Sequence, residues 1–490
     1  MRRLICTLLV LGAAPFAHVS AQASGPVLTL DEAIRLAVRN NPQYLQTGSS
    51  RQRAAAALRA SKGQLLPTVR TSFGSSYREG RQQFFAGQAF GSTSDVLSSS
   101  ADLGVDLAIS AATWMARKQQ QANLAAAESD VTSAEATLRA NVITQYLNVL
   151  QALSRATLQD TLLRSTQAQL ELARARQQVG AATTLDVRRA EVQVGQQQVA
   201  VLRERNNVEV EKLRLFQQIG VEQPAGVTLS SQFAIEEPKV QLDGLLGQAR
   251  SGNPALAALR SRERASDVQV SSARSAYFPS LSLSSGVSGF SQQLRNIDGS
   301  ISDARASALS QQRSCISQDS LRRGAGLPSI LQQCGAIVFT DAQASALRDA
   351  NAQFPFKMTR SPIQLSAQIS LPIFDGFTRE QRIQEAAASR NDARYRVREQ
   401  ELKLTADVTS AYRNLVTAYQ TVRLQEQNTV AAREALALSQ ERFRVGANTF
   451  VDVTQSRSDF ERAETDRINA IYDYHKAFAA LESAVGRPLR

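Results

Sequence analysis

Val179 to Val187 reads VGAATTLDV, and Val445 to Val453 reads VGANTFVDV, 266 residues later. Each stretch follows a long run without proline or glycine, residues 116–178 before the first and residues 379–444 before the second. Both runs are rich in alanine, leucine, glutamine, arginine and glutamate, which are good helix formers. At 1.5 Å per residue, each run predicts a helix of about 95–100 Å, which needs neighbouring helices to be stable.

The two stretches themselves predict turns. Gly180 and Gly446 stand where the C-terminus of a helix commonly requires a left-handed residue. Helix-forming residues resume at 185–219 and at 451–485. Each stretch is therefore the turn of a long helical hairpin. The turn residues are Val179, Gly180 and Ala181 in the first copy, and Val445, Gly446, Ala447 and Asn448 in the second.

Other motifs recur in the same order, which indicates an internal duplication. The recurring pairs are Asn41-Pro42 with Asn253-Pro254, Leu65-Leu66-Pro67 with Tyr277-Phe278-Pro279, and Ile109-Ser110 with Ile369-Ser370. The first two pairs have an offset of 212 residues and the third has an offset of 260. We assign repeat one to residues 24–227, with its helical hairpin at 113–220, and repeat two to residues 228–490, with its hairpin at 377–486.

The N-terminus predicts export from the cytoplasm. Met1-Arg2-Arg3 is positively charged, residues 4–16 are apolar, and small residues at 19–23 provide a cleavage site. Residues 1–23 are therefore expected to be a signal peptide. The alternative is a retained membrane helix, which is disfavoured because the apolar stretch is shorter than the roughly 20 residues that span a bilayer.

Between the first helices and the long helix of each repeat, the period of apolar residues changes to two. Strands are predicted at about 67–78, 101–110, 279–290 and 361–371, each with one apolar face and one small, polar face. A transmembrane β-barrel has this pattern, and so does a half-buried sheet in a soluble domain. The export signal and the lack of a second apolar layer favour the barrel. Four strands cannot close a barrel and an open edge is unstable in lipid, so several chains must share one.

Little reactive chemistry remains beyond the signal. His475 is the one histidine left, and its helical surroundings predict a packing role. No zinc-ligand spacing, GxGxxG fingerprint, Walker loop or GxSxG elbow is present in the sequence, so we expect neither an enzyme nor a cofactor or metal. The formal charge falls from +12 to +10 without Arg2 and Arg3, and the other arginines are dispersed along helices. We therefore expect no binding to nucleic acid.

Together these motifs resemble one family. The duplicated Asn-Pro helix starts, the proline-led strands, the V-G-x-x-T-x-x-D-V turns and the junction Leu371-Pro372-Ile373-Phe374-Asp375-Gly376 are similar to those of TolC-like outer membrane efflux proteins. The resemblance covers essentially all of the mature sequence. It implies a mainly α fold with a membrane β-barrel portion. Three chains would share a twelve-stranded barrel in the outer membrane of a Gram-negative bacterium, and their hairpins would form an α-helical barrel in the periplasm.

One junction departs from the family pattern. Residues 111–116 join the strands of repeat one to its long helix, and they lack the proline and glycine of the junction in repeat two. Trp114 and Phe374 remain as candidate interface aromatics at the periplasmic rim of the barrel.

The resemblance also implies a function and partners. The chain would be the exit duct of a tripartite efflux pump and would passively conduct small toxic compounds to the exterior. A periplasmic adaptor protein would join it to an inner-membrane transporter, which supplies the energy. The same kind of duct serves type I protein secretion, which is one alternative. A periplasmic coiled-coil scaffold that never enters the membrane is a more distant one.

The hairpin turns are the candidate site, because they are expected to meet the adaptor protein. In the resembling family, the position of Asp452 belongs to an acidic pair at the periplasmic aperture, and that of Asp186 to the contacts that close it. Three copies of Asp452 around a pore would favour cations. The spacing of each aspartate from Thr183 or Thr449 also matches a helix-capping box, and one residue can serve both roles.

The match to the family's aperture is incomplete. Its second acidic position falls on Gln455, its gate tyrosine on Phe443 and its gate arginine on Asn448. With fewer charged and hydrogen-bonding side chains at these positions than in the family, the aperture is predicted to be looser or to be closed by different contacts.

The segment from Gln292 to Arg360 is expected to be an enlarged loop on the outer side of the barrel, because the two copies differ in length by 48 residues here. It holds Cys315 and Cys334, the two cysteines that remain beyond the signal. In an oxidising compartment a single disulfide is the expected state, and two free thiols are the alternative.

Overall fold

A computed structural model of the chain describes residues 27–92, 94–230 and 234–489. The helices are α1 (Leu30–Asn40), α2 (Pro42–Gly63), α3 (Ala111–Gln178), α4 (Thr184–Ile219), α5 (Leu242–Gly252), α6 (Pro254–Arg274), α7 (Asp298–Gly324), α8 (Leu331–Gly335), α9 (Asp341–Asn351), α10 (Thr378–Arg444) and α11 (Phe450–Val485). The strands are β1 (Val27–Leu28), β2 (Thr68–Arg78), β3 (Gln82–Phe85), β4 (Gln88–Ser92), β5 (Val96–Ser110), β6 (Thr228–Leu229), β7 (Ser280–Leu294), β8 (Thr359–Arg360) and β9 (Gln364–Ser370). The expected signal peptide lies outside the described residues.

Two long helical hairpins, α3 with α4 and α10 with α11, confirm the mainly α fold. Helix α3 begins at Ala111, earlier than the composition of the run predicted, because Ser110 caps it. The Ser110 hydroxyl accepts a hydrogen bond from the amide of Thr113 at 3.2 Å, and the Thr113 hydroxyl accepts one from the Ser110 amide at 3.3 Å. The junction of repeat one is therefore a direct passage from strand to helix.

The junction of repeat two is built differently. Gly376 and Phe377 both have a φ of +65° between the end of β9 and the start of α10. Arg379 holds the bend, because its guanidinium pairs with Asp375 at 2.9 Å and donates to the Pro372 carbonyl at 2.7 Å. In the described chain, no helix is both long enough and apolar enough to cross a bilayer.

The chain forms two compact units that cut across the two repeats. The helical unit comprises the described residues up to Ala54, Asn123–Ala265 and those from Asn391 onward. The sheet unit comprises Ala55–Ala122 and Ser266–Arg390. Each unit takes matching segments from both repeats, because the strands of one copy pair with those of the other.

The main sheet of the sheet unit is antiparallel, in the order β2-β5-β7, and both β8 and β9 pair with β7. One face carries exposed apolar side chains, namely Val69, Phe73, Leu103, Val105, Ile109, Leu365 and Ile369. The opposite face is small and polar, with Ser72 bonded to Asp102 and with an ion pair of 2.8 Å between Arg70 and Asp106. This arrangement agrees with the predicted two-faced strands.

Each repeat builds its own apolar core in the helical unit. The first core surrounds Tyr146 on α3, and the second surrounds Tyr474 on α11. The Tyr146 hydroxyl donates to the carbonyls of Leu28 and Ser230 at 2.8 and 2.9 Å, and burial raises its pKa to about 12. His475 is buried beside Tyr474 and meets its ring edge-on, as expected for a packing histidine.

The Asn-Pro motifs form a joint that is repeated in both halves. The side-chain amide of Asn41 donates to the Gln218 carbonyl at the end of α4, at 2.7 Å. Asn253 donates in the same way to Ala484 near the end of α11, at 2.9 Å. Glycines at 220 and 486, each with a φ of +86°, end these helices against the Asn-Pro backbone. The duplicated motif therefore locks the start of one helix to the end of another.

The segment predicted as an enlarged loop does connect β7 to β8 and β9, but it folds into α7, α8 and α9, so it is not an irregular loop. Its alanine, glutamine and arginine content favours helix, and Ile301, Cys334 and Ala344 are buried, one on each of the three helices. A disulfide joins Cys315 to Cys334, with their Cα atoms 5.4 Å apart. We refer to residues 295–360 as the outer insertion.

Candidate functional site at the helical hairpin turns

The turns of the two hairpins have the same backbone. Gly180 has a φ of +76° and Gly446 has a φ of +84°, the left-handed conformation that the sequence predicted. The amide of Ala181 donates to the Arg176 carbonyl, and that of Ala447 to the Arg442 carbonyl, both at 2.8 Å. A β-branched or bulky side chain at either glycine would be strained.

The next residues form a capping box at each turn. The Asp186 carboxylate accepts hydrogen bonds from the amide and the hydroxyl of Thr183, at 3.0 and 2.8 Å. Asp452 accepts the same pair from Thr449, at 2.9 and 2.7 Å. The hydroxyl and then the amide lower the pKa of each carboxyl below its ordinary value. A lowered pKa stabilises the fold above the ordinary range of aspartate, and the contribution is lost as the pH falls through the carboxyl's own pKa.

Asp452 is therefore the acidic residue of a helix-capping box in which Thr449 is the N-cap, and its side chain is also exposed. Both hydrogen bonds from Thr449 go to the same carboxylate oxygen, Oδ2. The other oxygen, Oδ1, takes no part in the capping box. The geometry is compatible with a cap and with a charge that faces a pore.

Phe443 is held by the neighbouring hairpin. The Arg176 guanidinium lies 4.5 Å from the centre of the Phe443 ring and donates to the Phe443 carbonyl at 2.7 Å. The ring also meets Phe450 edge-on, with centres 6.1 Å apart. A phenylalanine cannot donate the hydrogen bond of a tyrosine, and here a cation from α3 contacts both its ring and its backbone.

Gln455 and Asn448 make local contacts. The Gln455 amide donates to Asp459 one helical turn later, at 3.1 Å, and the Asn448 amide donates to Ser439 at 3.4 Å. Neither contact joins one hairpin to the other. The candidate aperture residues thus have three kinds of contact. Two aspartates belong to capping boxes, Phe443 contacts the other hairpin, and Gln455 and Asn448 bond only within their own hairpin.

Polar contacts continue along the boundary between α3 and α11, which joins the two hairpins. The pairs are Arg457 with Gln169 at 3.0 Å, Gln159 with Glu461 at 3.1 Å, Arg155 with Asn469 at 3.0 Å, Gln151 with Asn469 at 2.9 Å, and Ser154 with Tyr472 at 2.8 Å. Arg457 is buried, and the loss of water around its guanidinium lowers its pKa. The hairpins therefore meet across hydrogen-bonded polar side chains as well as across an apolar cluster around Phe450.

Sequence reasoning missed Arg176 and Arg457. Arg176 is separated from Phe443 by 267 residues, and Arg457 from Gln169 by 288. Each arginine lies in a helix with many other arginines, and nothing in its local sequence distinguishes it. Only a prediction of which residues of one repeat contact which residues of the other would have identified these two arginines.

The remaining candidate residues lie on surfaces. Val179 and Val445 are 78% and 73% exposed, so both turns present apolar side chains to solvent. Trp114 is half-exposed, and Phe374 is largely exposed and meets Phe377 edge-on. The part of the chain that the structure describes contains no group of His, Cys, Asp or Glu side chains placed to hold a metal ion.

Comparison with known proteins places these features in context. A family model described as "Outer membrane efflux protein" matches residues 33–221 and 339–487. The chain is 24% identical to the outer membrane protein TolC of Escherichia coli K12, over 99% of this chain and 87% of that protein. It is 29% identical to the pyoverdine export outer membrane protein OpmQ of Pseudomonas putida, over 54% of this chain and 58% of that protein.

Solved structures show the same fold. The Campylobacter jejuni CmeC outer membrane channel has a TM-score of 0.69 and 15% identity, over 98% of this chain and 94% of that one. The open state of the Neisseria gonorrhoeae MtrE outer membrane channel has a TM-score of 0.65 and 17% identity, over 99% of both chains. The paired hairpins and the small sheet are thus the architecture of known channels.

Proposed function

The chain belongs to the outer membrane efflux protein family, and we propose that it is the exit duct of a tripartite efflux pump that passively conducts small toxic compounds. It is an outer-membrane protein of a Gram-negative bacterium, with its helical part in the periplasm. Its relatives in this family are channels rather than enzymes. An inner-membrane transporter would supply the energy, and a periplasmic adaptor would join the two proteins.

The observation that carries the proposal is an incomplete sheet attached to paired long hairpins. Among the described residues, β2 and β9 each pair with one neighbouring strand, so each has a free edge. Free edges are not stable in lipid. We propose that three chains pair β2 of one copy with β9 of the next and close a twelve-stranded barrel. The three pairs of hairpins would then surround a continuous periplasmic duct.

The adaptor is proposed to dock at the hairpin turns. Within Val179 to Ala181 and Val445 to Asn448, the valines and alanines expose small and apolar side chains on a backbone fixed by Gly180 and Gly446. A partner with a matching helical turn could pack closely against these residues. Trp or Leu at the two glycines is expected to abolish export while trimers still assemble, and normal export by such variants would contradict the docking proposal.

Deletion of the gene tests the efflux function. The deletion strain is expected to become more susceptible to several small toxic compounds, and the intact gene supplied on a plasmid should restore resistance. Unchanged susceptibility together with loss of a secreted protein would instead support type I secretion. Recovery of the protein in the soluble periplasmic fraction would contradict a role as a duct of either kind.

A further inference from the structure

The apolar face of the sheet has a sharp outer limit. Phe73, Ala101 and Gly289 lie side by side in the register, and the next row outward on this face is Ser75, Ser99 and Ser291. Inward from the first row the face is exposed and apolar, as described above. At the second row it becomes polar, and Ser99 and Ser291 are almost completely buried, at 3% and 1% exposure.

The cover over these two serines comes from the end of the outer insertion. The hydroxyl of Ser99 donates to the Pro355 carbonyl at 2.5 Å, and that of Ser291 to the same carbonyl at 3.4 Å. Asn351 holds the segment in place, because its side chain exchanges two hydrogen bonds with the backbone of Leu294, at 2.8 and 2.9 Å. A buried hydroxyl pair and a covered strand end do not suit contact with lipid tails.

The height of the apolar face matches that of a bilayer core. From Ala101 to Ser110, β5 runs about 30 Å, and at a tilt of about 40° it rises about 23 Å. The outward apolar band of outer-membrane barrels is about 25 Å tall and is bordered by aromatic residues on both sides. Trp114 and Phe374 are at the junction end of this span. At the opposite end, Phe73 stacks with Phe356, with ring centres 6.3 Å apart.

Phe356 is 80% exposed although it lies at this border, and two exposed cations follow it. Lys357 is the next residue, and Arg360 is fixed beside Gly289 because β8 pairs with β7 there. Within the described residues, neither cation has a carboxylate at salt-bridge distance. An exposed aromatic ring with adjacent unpaired cations, at the edge of an apolar band, fits a layer of anionic lipid headgroups.

We infer that Pro355–Arg360 anchors the outer insertion to the outer leaflet of the membrane. Phe356 enters the interfacial layer, and Lys357 and Arg360 bind the phosphate groups of the lipid headgroups. The outer aromatic border of the barrel is then completed by a residue of the insertion rather than by a strand alone. This inference rests on the sheet being the membrane-embedded part of the proposed duct.

Tryptophan reporters test the depth of Phe356. Trp114 is the single tryptophan of the chain, so a Trp114→Phe background allows one reporter at a time. We expect Phe356→Trp, in full-length protein reconstituted into vesicles, to be quenched most strongly by lipids brominated near the headgroup. Leu365→Trp should be quenched most strongly by lipids brominated deep in the tails, and Leu321→Trp on α7 should be quenched by neither.

The reporters separate failure of this inference from failure of the proposed function. Quenching of Leu365→Trp without quenching of Phe356→Trp would overturn the anchor and leave the duct intact. A lack of quenching at both positions would overturn the membrane placement of the sheet itself. Since both side chains are largely exposed, the substitutions remove no core contact.

Charge reversal tests the headgroup contact. Native mass spectra of the purified protein with added lipid A are expected to show several-fold less bound lipid for Lys357→Glu or Arg360→Glu than for the parent. Arg313→Glu, an exposed cation on α7, is the matched control and should bind lipid A like the parent. Equal binding by all three variants and the parent would contradict the assignment of Lys357 and Arg360.

Discussion

Asp452 combines a capping carboxylate with an exposed charge near the turn of the second hairpin. If three copies surround the proposed aperture, they attract cations and bind multivalent ones. Asp452→Ala should therefore lower the cation preference of single channels and weaken their block by multivalent cations. Thr449→Ala, which removes the hydroxyl of the same capping box but keeps the Asp452 carboxylate, controls for the loss of a cap. Recordings of Asp452→Ala that match the parent would leave Asp452 with the capping role alone.

Arg176 is predicted to hold the two hairpins together at their turns. It contacts both the ring and the carbonyl of Phe443, which belongs to the other hairpin. Loss of a charged hydrogen bond of this kind costs about 1.5 kcal/mol, which corresponds to roughly a ten-fold shift between closed and open arrangements. Arg176→Ala should therefore raise single-channel conductance or the open fraction.

Arg174 is the matched control for that measurement. It lies on the same helix, but its ion pairs with Glu171 and Glu191 stay within the first hairpin. Arg174→Ala should leave conductance unchanged. Equal effects of the two substitutions would mean that the loss of positive charge, rather than the contact with Phe443, changes the channel.

At the scale of elements, the Asn-Pro joints depend on two glycines that lack space for a side chain. A Cβ at Gly220 would lie 2.5 Å from the Asn40 carbonyl oxygen, and one at Gly486 would lie 2.7 Å from Pro254. Both glycines are also left-handed. Alanine at either position should lower the free energy of unfolding by about 1–3 kcal/mol, measured by thermal or denaturant melting. Gly195→Ala, in a helix with open space around it, should be neutral or stabilising.

The disulfide of the outer insertion is a second prediction at this scale. The Cys315–Cys334 bond spans 19 residues and, in the chain-entropy model, stabilises the insertion by about 3 kcal/mol. Thiol labelling of unreduced, denatured protein should detect no free cysteine in the mature chain. Two labelled cysteines per chain would contradict the bond. Reduction should loosen α7 and α8 while the sheet unit keeps its strands, as followed by hydrogen exchange.

For the whole molecule, the free edges of β2 and β9 predict an obligate trimer. Native mass spectrometry in mild detergent should give three chains per particle. Two proline substitutions in β9, at residues whose amides point away from β7, should prevent assembly, because proline cannot donate to the ladder with the neighbouring copy. A stable, folded monomer of the parent in mild detergent would rule out the shared barrel.

Much of the fold was already determined by the sequence. The two runs without proline and glycine fixed the long helices, because helix propensity accumulates over a run and glycine or proline ends it. The period of two in residues 67–78 and its counterparts predicted the four main strands and their two faces, although β5 begins earlier, at Val96, and β7 ends later, at Leu294. The junction at Ala111 and the helices of the outer insertion were missed, since a helix cap and the packing of short helices joined by a disulfide depend on contacts that periodicity does not reveal.

Only the tertiary structure decided how the repeats meet. The sequence identified Asp186 and Asp452 because the capping spacing is local, within three residues. It could not identify Arg176 or Arg457, whose partners are distant in the chain and lie on another hairpin. Nor could it show that Pro355 covers Ser99, which is 256 residues away. Helices, strands and capping boxes depend on residues that are close in the sequence. Contacts between distant segments form only when the two repeats pack together.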